Sequence, residues 1–369
     1  MTDRPIPPGG AAGQAVRRRR MAGPSRAITP LTRDAAILTA LTLLLALTAM
    51  LCCGLGPVSI PPGTVLRVLG HHLLDWPVQG DWPASTDAIV WLSRLPRVLM
   101  AIAVGATLAL AGAALQAVVR NPLADPYVLG VSAGASTGAA LAILVFSGTG
   151  ILLLSTSAFA GAVLAMLLVL VIGGARGEVV PFRLIMAGLA VGYALTSATS
   201  FLIFASDSPE ASRSVMFWLL GSLASVHWIT AQVALAVAAV TLVFMAFASG
   251  PLDALAAGDE TALAVGLRPG AARLALMVGT SLAVGVMVAG SGGIGFVGLV
   301  VPHMARALTG ARHAILLPTC ALLGAIVLLL ADLLARMLFA PQEMPIGVVT
   351  GLIGAPLLLL LLRNAAPRP

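Results

Sequence analysis

The sequence predicts an all-α, polytopic integral membrane protein with about ten transmembrane helices. Three observations carry that expectation. Of 369 residues, 59% are hydrophobic and only 9% charged, where a soluble domain carries about a quarter charged residues. The mean hydropathy is +1.03, above what a water-exposed surface tolerates. The charges fall in short clusters between apolar runs, so the bilayer is the solvent for most of the chain.

Charge and cysteine exclude other classes. All 21 basic residues are Arg, and they flank apolar runs instead of forming one patch. The formal charge of +7 therefore carries no nucleic-acid signal. Cys52, Cys53 and Cys320 lie inside apolar segments without metal-ligand spacing and read as buried free thiols.

Residues 1–33, with the run Arg17–Arg20, read as a disordered Arg-rich cytoplasmic tail. Residues 34–363 form the transmembrane domain and 364–369 a cytoplasmic C-terminal tail. A membrane helix needs about 20 mostly apolar residues to cross roughly 30 Å of hydrocarbon. Such runs occur near 35–55, 97–119, 127–146, 151–172, 184–205, 228–248, 273–290, 294–309, 314–338 and 346–362. The first is read as a retained span. The seventh and eighth are parted only by Gly290-Ser291-Gly292-Gly293.

Arginine placement orients the chain, because positive residues are retained on the cytoplasmic side. With ten spans and both termini inside, sixteen arginines are cytoplasmic; Arg67, Arg94, Arg97, Arg213 and Arg336 are external. Merging the seventh and eighth spans weakens that bias. The predicted location is the cytoplasmic (inner) membrane, multi-pass, with N- and C-termini cytoplasmic.

Two external loops are long. Gly56–Ser93 contains a possible surface helix at Gly63–Leu73, and Ser206–Val226 contains the amphipathic segment Glu210–Leu220. The internal loop Gly250–Ala272 is polar and helical in pattern. Asp259 and Glu260 precede an Ala/Leu run and favour a helix start, since carboxylates suit the positive end of the helix dipole. Gly266 is a plausible stop. A short helix projecting from the membrane implies something to dock on. Arg120-Asn121-Pro122 with Asp125-Pro126 forms a tight turn, each X-Pro step steering the chain out of helix.

Longer motifs follow in order: Arg94-Leu95-Pro96-Arg97, Gly112-Ala113-Ala114-Leu115-Gln116, Arg120 through Pro126, Gly130 through Ala135, and Trp218-Leu219-Leu220-Gly221-Ser222. Then come Gly258-Asp259-Glu260-Thr261, Gly293 through Leu299, Val301-Pro302-His303, Ala331-Asp332, Pro345 through Thr350 and Gly354-Ala355-Pro356. From about Arg94 to Arg363 the chain resembles the FecCD family, permeases for ferric siderophores, haem and vitamin B12.

The resemblance implies type II ABC importer permease architecture and an ATP-driven system that moves an iron-siderophore complex inward. The implied partners are an ATP-binding ABC subunit, an extracytoplasmic substrate-binding protein and a second permease subunit, identical or closely homologous. No cofactor is expected in this chain; ATP and Mg belong to the ATPase. Asp259, Glu260, Thr261, Ala262, Gly266 and Leu267 resemble the coupling helix that seats on that ATPase. Arg94, Arg97 and Arg336 match motif positions that meet carboxylates of the binding protein, a task suited to the planar donor fork of Arg. The fifth, eighth and tenth spans line the family's path, with Thr196, Ser197, Ser200 and Thr350 as polar interruptions in a weakly polar wall.

Asp332 is the acid well inside an apolar run. Arg336 lies one helical turn on, so a structural ion pair is favoured over a proton relay. His303 reads as a hydrogen-bonded helix-end residue, and His71-His72 offers too few ligands for a metal site. Haem and cobalamin remain alternative cargoes. A secondary transporter would need more intramembrane acids, and a membrane enzyme would need a clustered catalytic constellation. The phosphate-loop motif of an ATPase is absent from the sequence.

Overall fold

The computed structural model describes residues 30–77, 80–146, 150–174 and 181–365. Most of the expected N-terminal tail and the last four residues, 366–369, lie outside the described residues. The chain forms two units, 1–37 and 38–369. The first contributes the opening turns of α1, and the second holds the other described helices.

The described residues are helical throughout the spans. In order they form α1 (Pro30–Gly54), α2 (Pro62–Leu74), α3 (Ala84–Asp87), α4 (Leu95–Val118), α5 (Val131–Ala140), α6 (Ile151–Gly173) and α7 (Pro181–Phe204). Then come α8 (Pro209–Leu219), α9 (Trp228–Ala257), α10 (Asp259–Ala264), α11 (Pro269–Ser291), α12 (Val297–Thr309), α13 (His313–Met337) and α14 (Ile346–Ala365). Among the described residues, seven helices are long and apolar enough to cross a membrane. Two shorter apolar helices, Val131–Val145 and Ile346–Leu360, and α12 occupy the other three expected spans. The fold is that of an all-α polytopic membrane protein.

Helix α4 is the centre. It packs against α9, α11, α12 and α13, and small residues let those backbones approach. A Cβ at Gly105 would lie 2.2 Å from the Gly324 carbonyl oxygen of α13, and one at Gly112 would lie 1.8 Å from that of Gly298 in α12. The periphery is inverted relative to a soluble protein: Phe204 is 89% and Phe247 82% exposed. Such rings fit a hydrocarbon solvent and would be a liability in water.

Two elements extend past their expected bounds. The helix entering α4 begins at Ala84, and the π-helical stretch Ala88–Arg94 absorbs the missing donor and ring of Pro96. Helix α9 continues through Gly250-Pro251 to Ala257. Leu252 and Leu255 are fully buried on that extension. Asp253 accepts from the His313 backbone N–H at 3.0 Å and lies 2.6 Å from His313 Nδ1, which fixes the extension to the start of α13. At 1.5 Å per residue, α9 is about 45 Å long, so it outruns the roughly 30 Å hydrocarbon layer.

The Gly-rich junction after α11 is a true break. Ser291 ends α11 and Phe296, with φ +68°, opens α12. A left-handed non-glycine residue costs about 1–2 kcal/mol. Phe296 is held there by α14, where a Cβ on Gly354 would come within 2.5 Å of it.

Candidate functional site

The candidate residues fall at the two ends of the bundle, on one exposed helix face and, for Thr350, in a buried cavity. At the end carrying residues 250–272, α9 projects, turns at Gly258 (φ +120°) and enters α10. Gly266 (φ +80°) closes the helix: its N–H donates to Leu263 O at 2.9 Å, and Leu267 N–H donates to Ala262 O at 2.9 Å. These paired bonds satisfy carbonyls that a helix end otherwise leaves open.

Asp259 anchors α10 instead of presenting its charge. Its carboxylate accepts from Arg273 Nη1 at 3.0 Å and lies 3.3 Å from Arg120 Nη2. Arg273 is buried, and its Nε donates to Val118 O at 3.3 Å. The bonds from Arg273 hold the Asp259 carboxyl below the usual carboxylate range, against a smaller desolvation effect. Ala262 is also turned inward, fully buried. The outward face belongs to Glu260, Thr261, Leu263 and Val265, with Leu263 61% and Val265 68% exposed. A cavity of about 580 Å³ opens between α9 and this helix, lined by Pro251, Ala254, Thr261, Val265 and Leu267 among others. Sequence reasoning missed Leu263 and Val265. The helical period could have found them, since burying Ala262 turns its neighbour outward.

At the opposite end stand Arg94, Arg97 and Arg336, and all three are buried. Arg94 donates to the carbonyls of Cys53 and Gly54, each at 2.8 Å, and to Val58 O. It caps the open carbonyl end of α1, where a cation suits the dipole. Arg97 Nε donates to Asp332 Oδ1 at 2.9 Å, while its Nη1 reaches Glu343 at 2.9 and 3.0 Å. Arg336 Nε lies 3.1 Å from Asp332 Oδ2 without a directed hydrogen bond, so that contact is Coulombic. Its Nη2 donates to Cys52 O at 3.2 Å.

The three arginines are therefore spent on internal partners. Their bonds tie together α1, α4, α13 and the turn before α14. Glu343, with a side chain 36% exposed, is the outermost member of that tie. Sequence reasoning paired Asp332 with Arg336 by local spacing and overlooked Arg97 and Glu343, which are distant in the chain.

On α7, Thr196, Ser197 and Ser200 share an exposed face with Tyr193, Phe201 and Phe204. Thr350 does not join them. It is buried, its hydroxyl donates to Gly347 O at 3.2 Å, and it lines an apolar cavity of about 310 Å³ between α12, α13 and α14. The register of α14 places Thr350 with Phe296 and Ile353 in the lining of that cavity and leaves Leu352 on the exposed side.

Non-helical backbone inside the bundle is held by the protein itself, as hydrocarbon demands. Ser222 N–H donates to Ser291 O at 2.8 Å, Ile346 N–H to Gly221 O at 3.0 Å and Gly347 N–H to Leu220 O at 3.1 Å. The Tyr127 side chain bridges the same region to the start of α5. His303 Nδ1 lies 3.0 Å from Leu299 O in its own helix. His71 Nδ1 meets Pro77 O at 2.8 Å, and His72 stacks on Trp91 beside Asp87. Among the described residues no cluster of three or more His, Cys, Asp or Glu could hold a metal ion.

The model of the FecCD transport family matches residues 43–364. Vitamin B12 import system permease proteins BtuC from Salmonella schwarzengrund and Salmonella typhi are each 42% identical over 295 residues, covering 79% of this chain and 89% of theirs. A solved chain in an inward-facing conformation, ascribed to the metal-chelate type of ABC transporter, aligns with a TM-score of 0.78 and 33% identity. That alignment covers 89% of this chain and 99% of the other. PsaBC from Streptococcus pneumoniae, solved with a Fab, shares the fold at a TM-score of 0.53 and 18% identity.

Proposed function

This chain belongs to the FecCD transport family and is the membrane-spanning permease of an ABC importer, a transporter subunit and not an enzyme; from that premise we propose that it carries a large metal chelate, with vitamin B12 as the first candidate. The cobalamin assignment rests on the 42% identity to vitamin B12 permeases. Iron-siderophore uptake is the second reading, favoured by the 33% identical chain of metal-chelate type.

The single observation that carries the mechanism is α10. A short helix raised on the α9 extension, tied down through Asp259 and offering Leu263, Val265 and Glu260 outward, fits a groove on a separate ATP-hydrolysing subunit. Two apolar side chains beside an acid give a small patch with an electrostatic rim, the common anatomy of a specific contact. Because Arg120 and Arg273 grip Asp259, a push on α10 is transmitted to the ends of α4 and α11.

In this reading residues 250–272 and both termini face the cytoplasm, in keeping with the arginine bias. The end carrying Arg97 and Glu343 faces outward, toward a binding protein. Two copies, or this chain and a close homologue, enclose the path between their exposed α7 faces. Thr196, Ser197 and Ser200 then interrupt a wall of apolar side chains, and weak contacts let cargo leave as easily as it enters. ATP and Mg act on the partner subunit.

Uptake assays test the cargo. Cells lacking their own corrinoid permease, supplied with this chain and its cognate partners, are expected to accumulate labelled cyanocobalamin. Accumulation of a labelled ferric siderophore with no corrinoid uptake would transfer the assignment to the second reading.

A further inference from the structure

A cavity of about 470 Å³ opens among α6, α8, the end of α11 and residues 343–345, at the end of the bundle that holds Glu343. Its lining includes Arg213, Phe217, Trp218, Ser155, Ser225 and Glu343. The polar groups are unequally committed. The Glu343 carboxylate is already bridged to Arg97 at 2.9 and 3.0 Å. Arg213 is exposed and, among the described residues, has no hydrogen-bond or ion-pair partner. Ser155 and Ser225 likewise make no side-chain hydrogen bond among the described residues.

The cavity therefore combines one unspent cation, two aromatic side chains and free hydroxyls. Guanidinium binds a phosphate oxygen pair through parallel N–H donors. Aromatic faces accept a flat heterocycle, and hydroxyls suit a sugar. We infer that this cavity receives the phosphate-bearing nucleotide arm of a corrinoid on its way into the permease, with Arg213 on the phosphodiester and Phe217 or Trp218 against the base. The volume fits one arm and not a whole corrinoid. The inference rests on the cobalamin reading above and assigns the part of the cargo that this side of the chain recognises.

The test compares cyanocobalamin with dicyanocobinamide, a corrinoid that lacks the nucleotide arm and its phosphodiester. The full importer is reconstituted in proteoliposomes with one binding protein, whose own preference cancels between variants. For Arg213→Gln the cobalamin-to-cobinamide ratio of uptake rates is expected to fall about tenfold, equivalent to about 1.4 kcal/mol. Arg213→Lys, which keeps the charge without the fork, is expected to recover part of it.

An unchanged ratio with Arg213→Gln would overturn the inference. Equal slowing of both corrinoids would also overturn it, and would assign Arg213 to a carboxylate of the binding protein or to seating α8. If the wild-type importer moves neither corrinoid, the cobalamin reading itself fails, and this inference with it. Circular dichroism and the melting temperature of each variant verify that the bundle is intact.

Discussion

Tyr127 holds the main chain of Ile294 from both sides: its hydroxyl donates to the carbonyl oxygen at 3.0 Å and accepts from the amide N–H at 3.0 Å. Ile294 sits in the extended stretch between α11 and α12, where no helical partner exists for either group. One side chain thus satisfies two backbone groups shielded from water.

Tyr127→Phe removes the hydroxyl without adding bulk. Each buried backbone group left unpaired costs about 1–3 kcal/mol, so the variant is expected to insert normally and melt at lower temperature in detergent. A melting temperature equal to wild type would mean that water or another group replaces the hydroxyl.

Asp332 and Glu343 share Arg97 but differ in burial, and their neutral variants should differ accordingly. Asp332→Asn leaves Arg97 and Arg336 buried without their common acid, a loss of about 3–5 kcal/mol by comparison with broken buried pairs elsewhere. Glu343→Gln removes a partly exposed partner, where surface pairs contribute about 0–1 kcal/mol. Thermal unfolding of the two variants side by side checks the order. A Glu343→Gln loss as large as that of Asp332→Asn would contradict this account of the tie.

Much of this arrangement was legible in the sequence, and what escaped did so for physical reasons. Apolar run length is a direct consequence of bilayer thickness, so all ten span positions were readable. The glycines at 290–293 likewise marked a break that the structure places at 292–296. The Arg97–Asp332 pair joins residues 235 apart, and no local period encodes such a contact. Helix α9 ran through Gly250-Pro251 because buried Leu252, Leu255 and the Asp253–His313 bond outweigh the local penalty. Thr350 turned inward because the facing of α14 is set by Phe296 and Gly354, which composition cannot reveal.

Gly112→Ala tests the close crossing of α4 and α12. The added Cβ would stand 1.8 Å from the Gly298 carbonyl oxygen, and backbone cannot yield as a flexible side chain does. Overpacking costs about 1–3 kcal/mol or more. Expression of folded protein is expected to drop, as read by size-exclusion profile in mild detergent, whereas Gly250→Ala, with no neighbour within reach of the new methyl, is expected to leave the profile unchanged.

The Asp259 tie has a defined acid limit. Its pKa is lowered in the fold, so its contribution is present in full above the ordinary carboxylate value of 3.8 and is lost as pH falls through the depressed one. The stability gap between wild type and Asp259→Asn is expected to stay constant from neutral pH down to about 5 and to close at still lower pH. A gap that widens on acidification would reverse the sign and exclude the Arg273 bond as its source.

The most direct test of the central claim is co-purification of the tagged chain with its ATPase subunit, wild type against the double variant Leu263→Asp, Val265→Asp. Both side chains are exposed, so the substitutions spare the fold and change only the outward face of α10. The account predicts a stoichiometric ATPase with the wild-type chain and the permease alone with the double variant, both eluting as folded protein. Equal recovery of the ATPase with the two chains would contradict the claim that α10 is where this permease meets its engine.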